Sequence, residues 1–138
     1  MTFLLDTNVI SELRKTRPHG AVLSWYHSYD EAAFALPSLA LYEIQAGIEV
    51  TRRQNLAKAR DIELWIQSLI DETVVLPLSA IGAREAARMM YGQSKAIIED
   101  AMIAAIAKAN GLTVATRNTR DFERFDVPLV NPFLFQKA

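Results

Sequence analysis

Short apolar runs alternate along this chain with longer stretches in which apolar residues recur every three or four positions. Thr2 to Leu5 reads as a short central strand, and Asn8 to Lys15 as the helix that follows, with Val9, Ile10 and Leu13 at helical spacing and Thr7 as its N-cap. Pro18 opens a second helix carrying Val22, Leu23, Trp25 and Tyr26, and Ala32 to Leu36 returns as a small-residue strand ended by Pro37. Ser38 then caps a third helix, Leu39 to about Val50, that buries Leu41, Ile44 and Ile48. The most periodic stretch runs from Asn55 to Ile70, where Leu56, Ala59, Ile62, Trp65, Ile66 and Leu69 form one apolar stripe.

Thr73 to Leu76 is a β-branched strand stopped by Pro77, and Ser79 caps an alanine- and methionine-rich helix to about Tyr91. In the next helix almost every residue after Glu99-Asp100 is apolar as far as Ala107, so it belongs deep in the domain; Asn110-Gly111 ends it. Leu112 to Ala115 is another buried strand, Thr116 to Phe122 a polar loop and Leu129-Val130 a last edge strand. This alternation predicts an α/β fold, a three-layer α/β/α sandwich with a mostly parallel central sheet. With 138 residues and no linker-like stretch, residues 1–138 form a single domain, a length at which ~65–70 % of the unfolded surface can be buried.

Composition narrows the chemistry. The absence of cysteine excludes disulfides, thiolate nucleophiles and Cys-ligated zinc, and it fits a reducing cytoplasm. No apolar run approaches the ~20 residues that cross a bilayer, so a cytoplasmic protein without membrane contact is expected. A net charge of -1 argues against a general polyanion-binding surface. Basic residues cluster locally at Arg14, Lys15 and Arg17, at Arg52 and Arg53, and at Arg117, Arg120 and Arg124; solvated helix faces and loops account for each group taken alone.

In an open α/β sheet the binding crevice lies beyond the carboxyl ends of the strands. Asp6 ends the first strand, Glu43 lies in the helix after the second, Asp100 opens the buried helix, and Asn118 and Asp121 follow the strand Leu112 to Ala115. Singly, each has a structural explanation: a cap, a helix dipole or an Asx turn. Together they imply a cation, because two carboxylates ~5 Å apart at an effective dielectric of ~20 repel by ~3 kcal/mol. All-oxygen ligation selects a hard ion, Mg2+ or Mn2+, and His19 and His27 lack any ligand spacing. Such an ion suits phosphodiester hydrolysis. The chain has no G-x-S-x-G, no phosphate-binding G-x-x-x-x-G-K-[ST] loop and no G-x-G-x-x-G after the first strand.

Four segments in order, L-L-D-T-N-V-I-S-E-L, S-L-A-L-Y-E-I-Q-A-G, I-I-E-D-A-M-I-A-A-I-A-K-A-N-G and L-T-V-A-T-R-N-T-R-D-F-E-R-F, resemble those of PIN-domain ribonucleases. More narrowly, they are similar to the VapC-type toxins of bacterial toxin–antitoxin pairs, close to the FitB-like branch. The resemblance covers nearly the whole chain. It implies a PIN-like fold and catalytic acids at Asp6, Glu43 and Asp100, with the fourth position falling on Asn118 or Asp121; Asp121 is favoured and Asn118 kept as a polar contact. Glu99 is set aside as a decoy, since consecutive helical residues point about 100° apart.

On this reading Asp6 and Asp100 hold Mg2+ most directly, with Mn2+ as a substitute, while Glu43 and Asp121 bind through water or a second ion. Thr7, Asn8, Thr116 and Asn118 support the carboxylates, and Arg14, Lys15, Arg17, Arg117 and Arg120 contact RNA phosphates. The resemblance further implies single-stranded or loop RNA as substrate, a homodimer, and silencing by a cognate VapB-type antitoxin through which alone operator DNA is bound. The stripe with Trp65, and Trp25 and Tyr26 taken as exposed aromatics, offer surfaces for those partners. Two other readings stay open at this point: a metal-dependent DNA or structure-selective nuclease, and a non-catalytic PIN-like binding module.

Overall fold

A computed structural model describes residues 1–137. Five parallel strands form one sheet in the order β3-β2-β1-β4-β5: β1 Phe3–Leu5, β2 Phe34–Pro37, β3 Val74–Leu76, β4 Thr113–Ala115 and β5 Leu129–Val130. Between them lie α1 Thr7–Arg14, α2 Gly20–His27, α3 Ser38–Arg52, α4 Leu56–Glu72, α5 Ala80–Met89, α6 Ile98–Asn110 and α7 Thr119–Phe122. Alternate residues of the central strands feed two separate cores. Phe3, Leu5, Phe34 and Leu36 pack with Val9, Ile10, Val22 and Trp25 of α1 and α2, whereas Leu4, Ala35 and Val114 pack with Ala101, Ile103, Ala104 and Ile106 of α6. Strands buried on both faces explain why the sequence shows unbroken apolar runs rather than alternation. Burying a large side chain such as Ile103 or Trp25 contributes roughly 1.5–3 kcal/mol.

The expected three-layer architecture is present, with a sheet that is parallel at every pairing among the described residues. Local details differ. Asp6, not Thr7, caps α1, because its carboxylate Oδ1 accepts the Thr7 N–H at 2.8 Å. Ser38 is the first residue of α3 and Pro37 holds the cap position without a side-chain bond. Ala32 belongs to a 3-10 turn, Glu31–Ala33, that precedes β2. The segment expected as a loop after β4 contains α7, a single turn too short to show a period. Leu56 falls outside the buried stripe of α4, at 70 % exposure, and Trp25, expected at the surface, is 1 % exposed in a cluster with Phe3, Tyr29 and Phe34. Tyr26 is half-buried and stacks on Phe34.

The strand order places the site. The chain moves outward from β1 through β2 to β3, then returns to β4 on the other side of β1. The reversal opens a crevice at the carboxyl ends of β1 and β4. Helices in such a sheet run antiparallel to the strands, so the N-termini of α1, α3, α6 and α7 gather along that same edge. Gly111, at φ 65, closes the far end of α6 in the left-handed conformation that glycine adopts without strain.

Candidate active site

Asp6 is 4 % exposed at the end of β1, and its backbone N–H donates to Ala115 O of β4 at 2.9 Å. A carboxylate in that position needs donors, and the chain supplies three: Thr7 N–H, Asn8 Nδ2 at 3.0 Å and Thr116 Oγ1 at 2.7 Å. Thr116, itself buried, accepts from Asn8 Nδ2 at 3.3 Å and from the Asn118 N–H at 2.9 Å, while Asn8 Oδ1 accepts the Arg117 N–H at 3.1 Å. D-T-N after β1 and T-R-N after β4 are therefore one interlocked network. Burial still raises the Asp6 pKa above the ordinary carboxylate range, against the hydrogen bonds from Thr116, Thr7 and Asn8 that oppose it.

The other acids face Asp6 from three helices. Asp100, in the first turn of α6, is half-buried, and its carboxyl is pushed up to about 6 by burial and by the charges of Asp6, Asp121 and Glu99. Glu43 of α3 is pushed up to about 7, by burial first, then by the charge and hydrogen bond of Glu99, with a further contribution from Asp6. The four acids expected from the sequence are thus brought to one crevice, and Glu99 joins them. The 100° between neighbours does not exclude it, because the two act in different directions: Glu99 acts on Glu43 of α3, and Asp100 feels the charge of Asp6 at the end of β1. A signal was present: Glu99 and Asp100 lie four residues before Ile103 and Ala104, both fully buried, so both are on the inward side of α6.

Arg124 is the second residue that motif reading did not assign. Phe122 and Phe125, both buried and packed edge to face, fix the turn after α7, so that Asp121 and Arg124, again three apart, share the adjacent stripe. Arg124 lowers the Asp100 pKa and donates to Gln93 Oε1 at 3.1 Å. Asn118 contributes its backbone N–H, and its side chain makes no capping bond. Arg14 lies at the other end of α1, about 11 Å along the helix from Thr7. Lys15 is paired with Glu12 Oε1 at 3.0 Å, and Arg17 and Arg120 are exposed.

The donor set fits a hard divalent cation. All the candidate groups are carboxylate, hydroxyl or amide oxygens, Asp100 has Arg124 as its cationic neighbour, and Thr7 Oγ1 is buried without a hydrogen-bond partner. That hydroxyl lies beside Glu43 and favours its charged form, in a geometry too loose for a hydrogen bond. Among the described residues no three His, Asp or Glu side chains are drawn together closely enough to chelate an ion as they stand.

An all-parallel sandwich with an acid-lined crevice at its switch point, framed by these four segments, defines a class, and the family comparison agrees: the PIN domain matches residues 3–128, and the chain belongs to that family. Among its relatives, the VapC ribonuclease Y4jK of Sinorhizobium fredii is 33 % identical over 138 residues, covering 94 % of this chain and 96 % of that one. Toxin FitB of Neisseria gonorrhoeae is 32 % identical over 136 residues, covering 94 % and 97 %. The crystal structure of FitAcB from Neisseria gonorrhoeae superposes with a TM-score of 0.78 at 31 % identity, over 97 % of this chain and all of that one (100 %). Among the described residues no helix is long and apolar enough to cross a membrane.

Proposed function

We propose that this chain is a Mg2+-dependent endoribonuclease, with Mn2+ as a substitute, that cleaves single-stranded or loop RNA in the cytoplasm as the toxin of a VapBC-type pair. The observation that carries the reading is a chain of mutually felt carboxylates at the carboxyl ends of β1 and β4: Asp6 acts on both Glu43 and Asp100, and Asp121 acts on Asp100. The names of the relatives, a VapC ribonuclease and a FitB toxin, support the substrate and the role. Asp6 and Asp100 would hold the ion most directly, with Glu43 and Asp121 binding through water or a second ion. A divalent cation held there polarises the phosphoryl oxygens and stabilises charge on the leaving oxygen. The chain's own residues do the rest. Thr116, Asn8 and the Thr7 N–H fix the Asp6 carboxylate in one orientation. Glu43, pushed up to about 7 by burial and by Glu99, would take or release a proton at its Oε atoms near neutral pH. Asp121 adds to the negative charge that Asp6 places on Asp100, Arg124 offsets part of it, and Arg124 and Arg117 would bring positive charge to the rim for RNA phosphates.

We also place a homodimer and a cognate VapB-type antitoxin around this chain, with operator DNA bound through the antitoxin; the similarity to the structure of FitAB bound to an IR36 DNA fragment, at 30 % identity, supports such an assembly. The test is to purify the chain free of partner and incubate it with labelled RNA and Mg2+, beside EDTA and the Asp6→Ala and Asp100→Ala variants. Cleavage in Mg2+ that stops in all three controls supports the reading. Cleavage that survives EDTA or both substitutions overturns it.

A further inference from the structure

Arg117 follows Thr116 at the carboxyl end of β4, but its guanidinium does not point into the acids. It lies over the ring of Phe133, 4.6 Å from the ring centroid, and the Phe133 ring in turn meets the His19 imidazole edge to face at 5.3 Å. Both ends of this row are anchored. The Arg117 N–H donates to Asn8 Oδ1, and Asn8 Nδ2 donates to the Asp6 carboxylate, so two hydrogen bonds join the row to the candidate catalytic acid. At the other end the His19 N–H donates to Glu12 Oε2 at 3.0 Å, and the same carboxylate holds Lys15. Phe133 is set by Asn131, whose Oδ1 accepts its N–H at 3.0 Å.

We infer that Arg117, laid on Phe133, is a stacking platform for a base of the RNA next to the bond that is cut; this rests on the ribonuclease reading above. The Phe133 ring lies beneath the Arg117 guanidinium carbon and Arg117 is exposed, so the guanidinium is held against the ring at the surface. No carboxylate among the described residues pairs with it. The cation–π contact holds the guanidinium in place beside the acids rather than leaving it on a freely moving side chain. A planar guanidinium held in that way matches the π-face of a base, and single-stranded RNA is read by stacking on such planes. Because the ring already fixes the side chain, little conformational freedom is lost on binding. Stacking tolerates any base, so the platform gives grip and register beside the acids rather than sequence choice.

The test compares binding of a short mixed-sequence single-stranded RNA with binding of an abasic ribose-phosphate strand of equal length. Fluorescence anisotropy in EDTA keeps cleavage off. The wild-type chain is expected to prefer the base-bearing strand by about five- to a hundredfold. Arg117→Lys keeps the charge and loses the plane, and Phe133→Leu keeps most of the volume and loses the ring. Both variants are expected to lose most of that preference, with abasic binding and its salt dependence unchanged. Arg117 is exposed, so its variant carries the test even if Phe133→Leu folds poorly. Equal binding of the two strands by the wild-type chain, binding of neither, or an equal loss on both strands in Arg117→Lys each overturns the platform. Cleavage of the same RNA by the wild-type chain in Mg2+ is scored separately: base preference without cleavage leaves the platform and removes the ribonuclease reading, and cleavage without base preference does the reverse.

Discussion

Thr116 Oγ1 donates to Asp6 Oδ2 at 2.7 Å, between residues 110 positions apart, at the seam where β1 and β4 lie side by side. One hydroxyl thereby ties the first acid of the crevice to the strand that returns from the far side of the sheet. It also accepts from Asn8 and from the Asn118 N–H, so its removal disturbs three bonds at once. Thr116→Val is expected to cost about 1–3 kcal/mol, while Thr116→Ser keeps most of the stability. Urea unfolding of the two variants checks this; a loss in Thr116→Ser with little or none in Thr116→Val would show that the methyl group, not the hydroxyl, matters.

Asp100 and Glu43 titrate at about 6 and about 7, above their values in the unfolded chain. Between those values and the ordinary carboxylate range the folded chain binds more protons than the unfolded one, so the stability these groups contribute is full in acid and is lost as pH rises through about 6 and about 7. Discounted for their partial exposure, the two together are expected to cost on the order of 1–2 kcal/mol by ~pH 8. Mg2+ favours the charged forms and therefore raises the melting temperature more at ~pH 8 than at ~pH 5. Thermal unfolding with and without Mg2+ at both pH values measures it; an equal shift at the two would argue against the ion sitting among these acids.

Glu99 supplies the charge and hydrogen bond that, after burial, most raise the Glu43 pKa. Glu99→Gln is expected to lower that pKa, to flatten the pH dependence of stability above ~pH 5, and to leave the folded chain at neutral pH as stable as before or more so. Carboxyl-carbon NMR of Glu43 in the two proteins reads the shift directly. An unchanged titration would remove Glu99 from the site.

Ile103 is fully buried between α6 and the sheet. Ile103→Ala leaves a cavity and is expected to cost about 2–5 kcal/mol, which denaturant unfolding measures. A loss below 1 kcal/mol, expected only where the site collapses, would mean that α6 is not held as tightly as its burial implies.

The layers and the order of the elements were legible because the physics that sets them is coarse. Leu4, Ala35 and Val114 belong to runs that must be buried on both faces, and the run Ala101 to Ala107 permits no exposed side. That Asp6, Glu43 and Asp100 lie at one edge of the sheet was legible because each follows a strand or opens or lines a helix there. What stayed hidden depends on single bonds and on angles. Thr7 and Asp6 are both good caps, and only the path of β1 decides that Asp6 turns back onto the helix. Four residues of α7 carry no period. Trp25 reads as an amphipathic aromatic but is enclosed by Phe3 and Phe34, which come from two different strands. That Glu99 acts on Glu43 while Asp100 feels Asp6 depends on how α6 lies against α3 and β1, which the four-residue spacing to Ile103 and Ala104 hints at but does not fix.

Whether the crevice acids hold a divalent cation for RNA cleavage is read from the single-turnover cleavage rate of a labelled single-stranded RNA against Mg2+ concentration. Asp100→Asn is the variant of choice, because Asp100 is half-buried and the change conserves shape. The wild-type rate is expected to rise from zero and saturate with Mg2+, and Asp100→Asn to need at least about tenfold more ion or to show no cleavage at all, the loss of one charged ligand contact being worth ~1.4 kcal/mol or more. A rate independent of Mg2+, or identical Mg2+ dependence in the two proteins, would contradict a cation held by these acids.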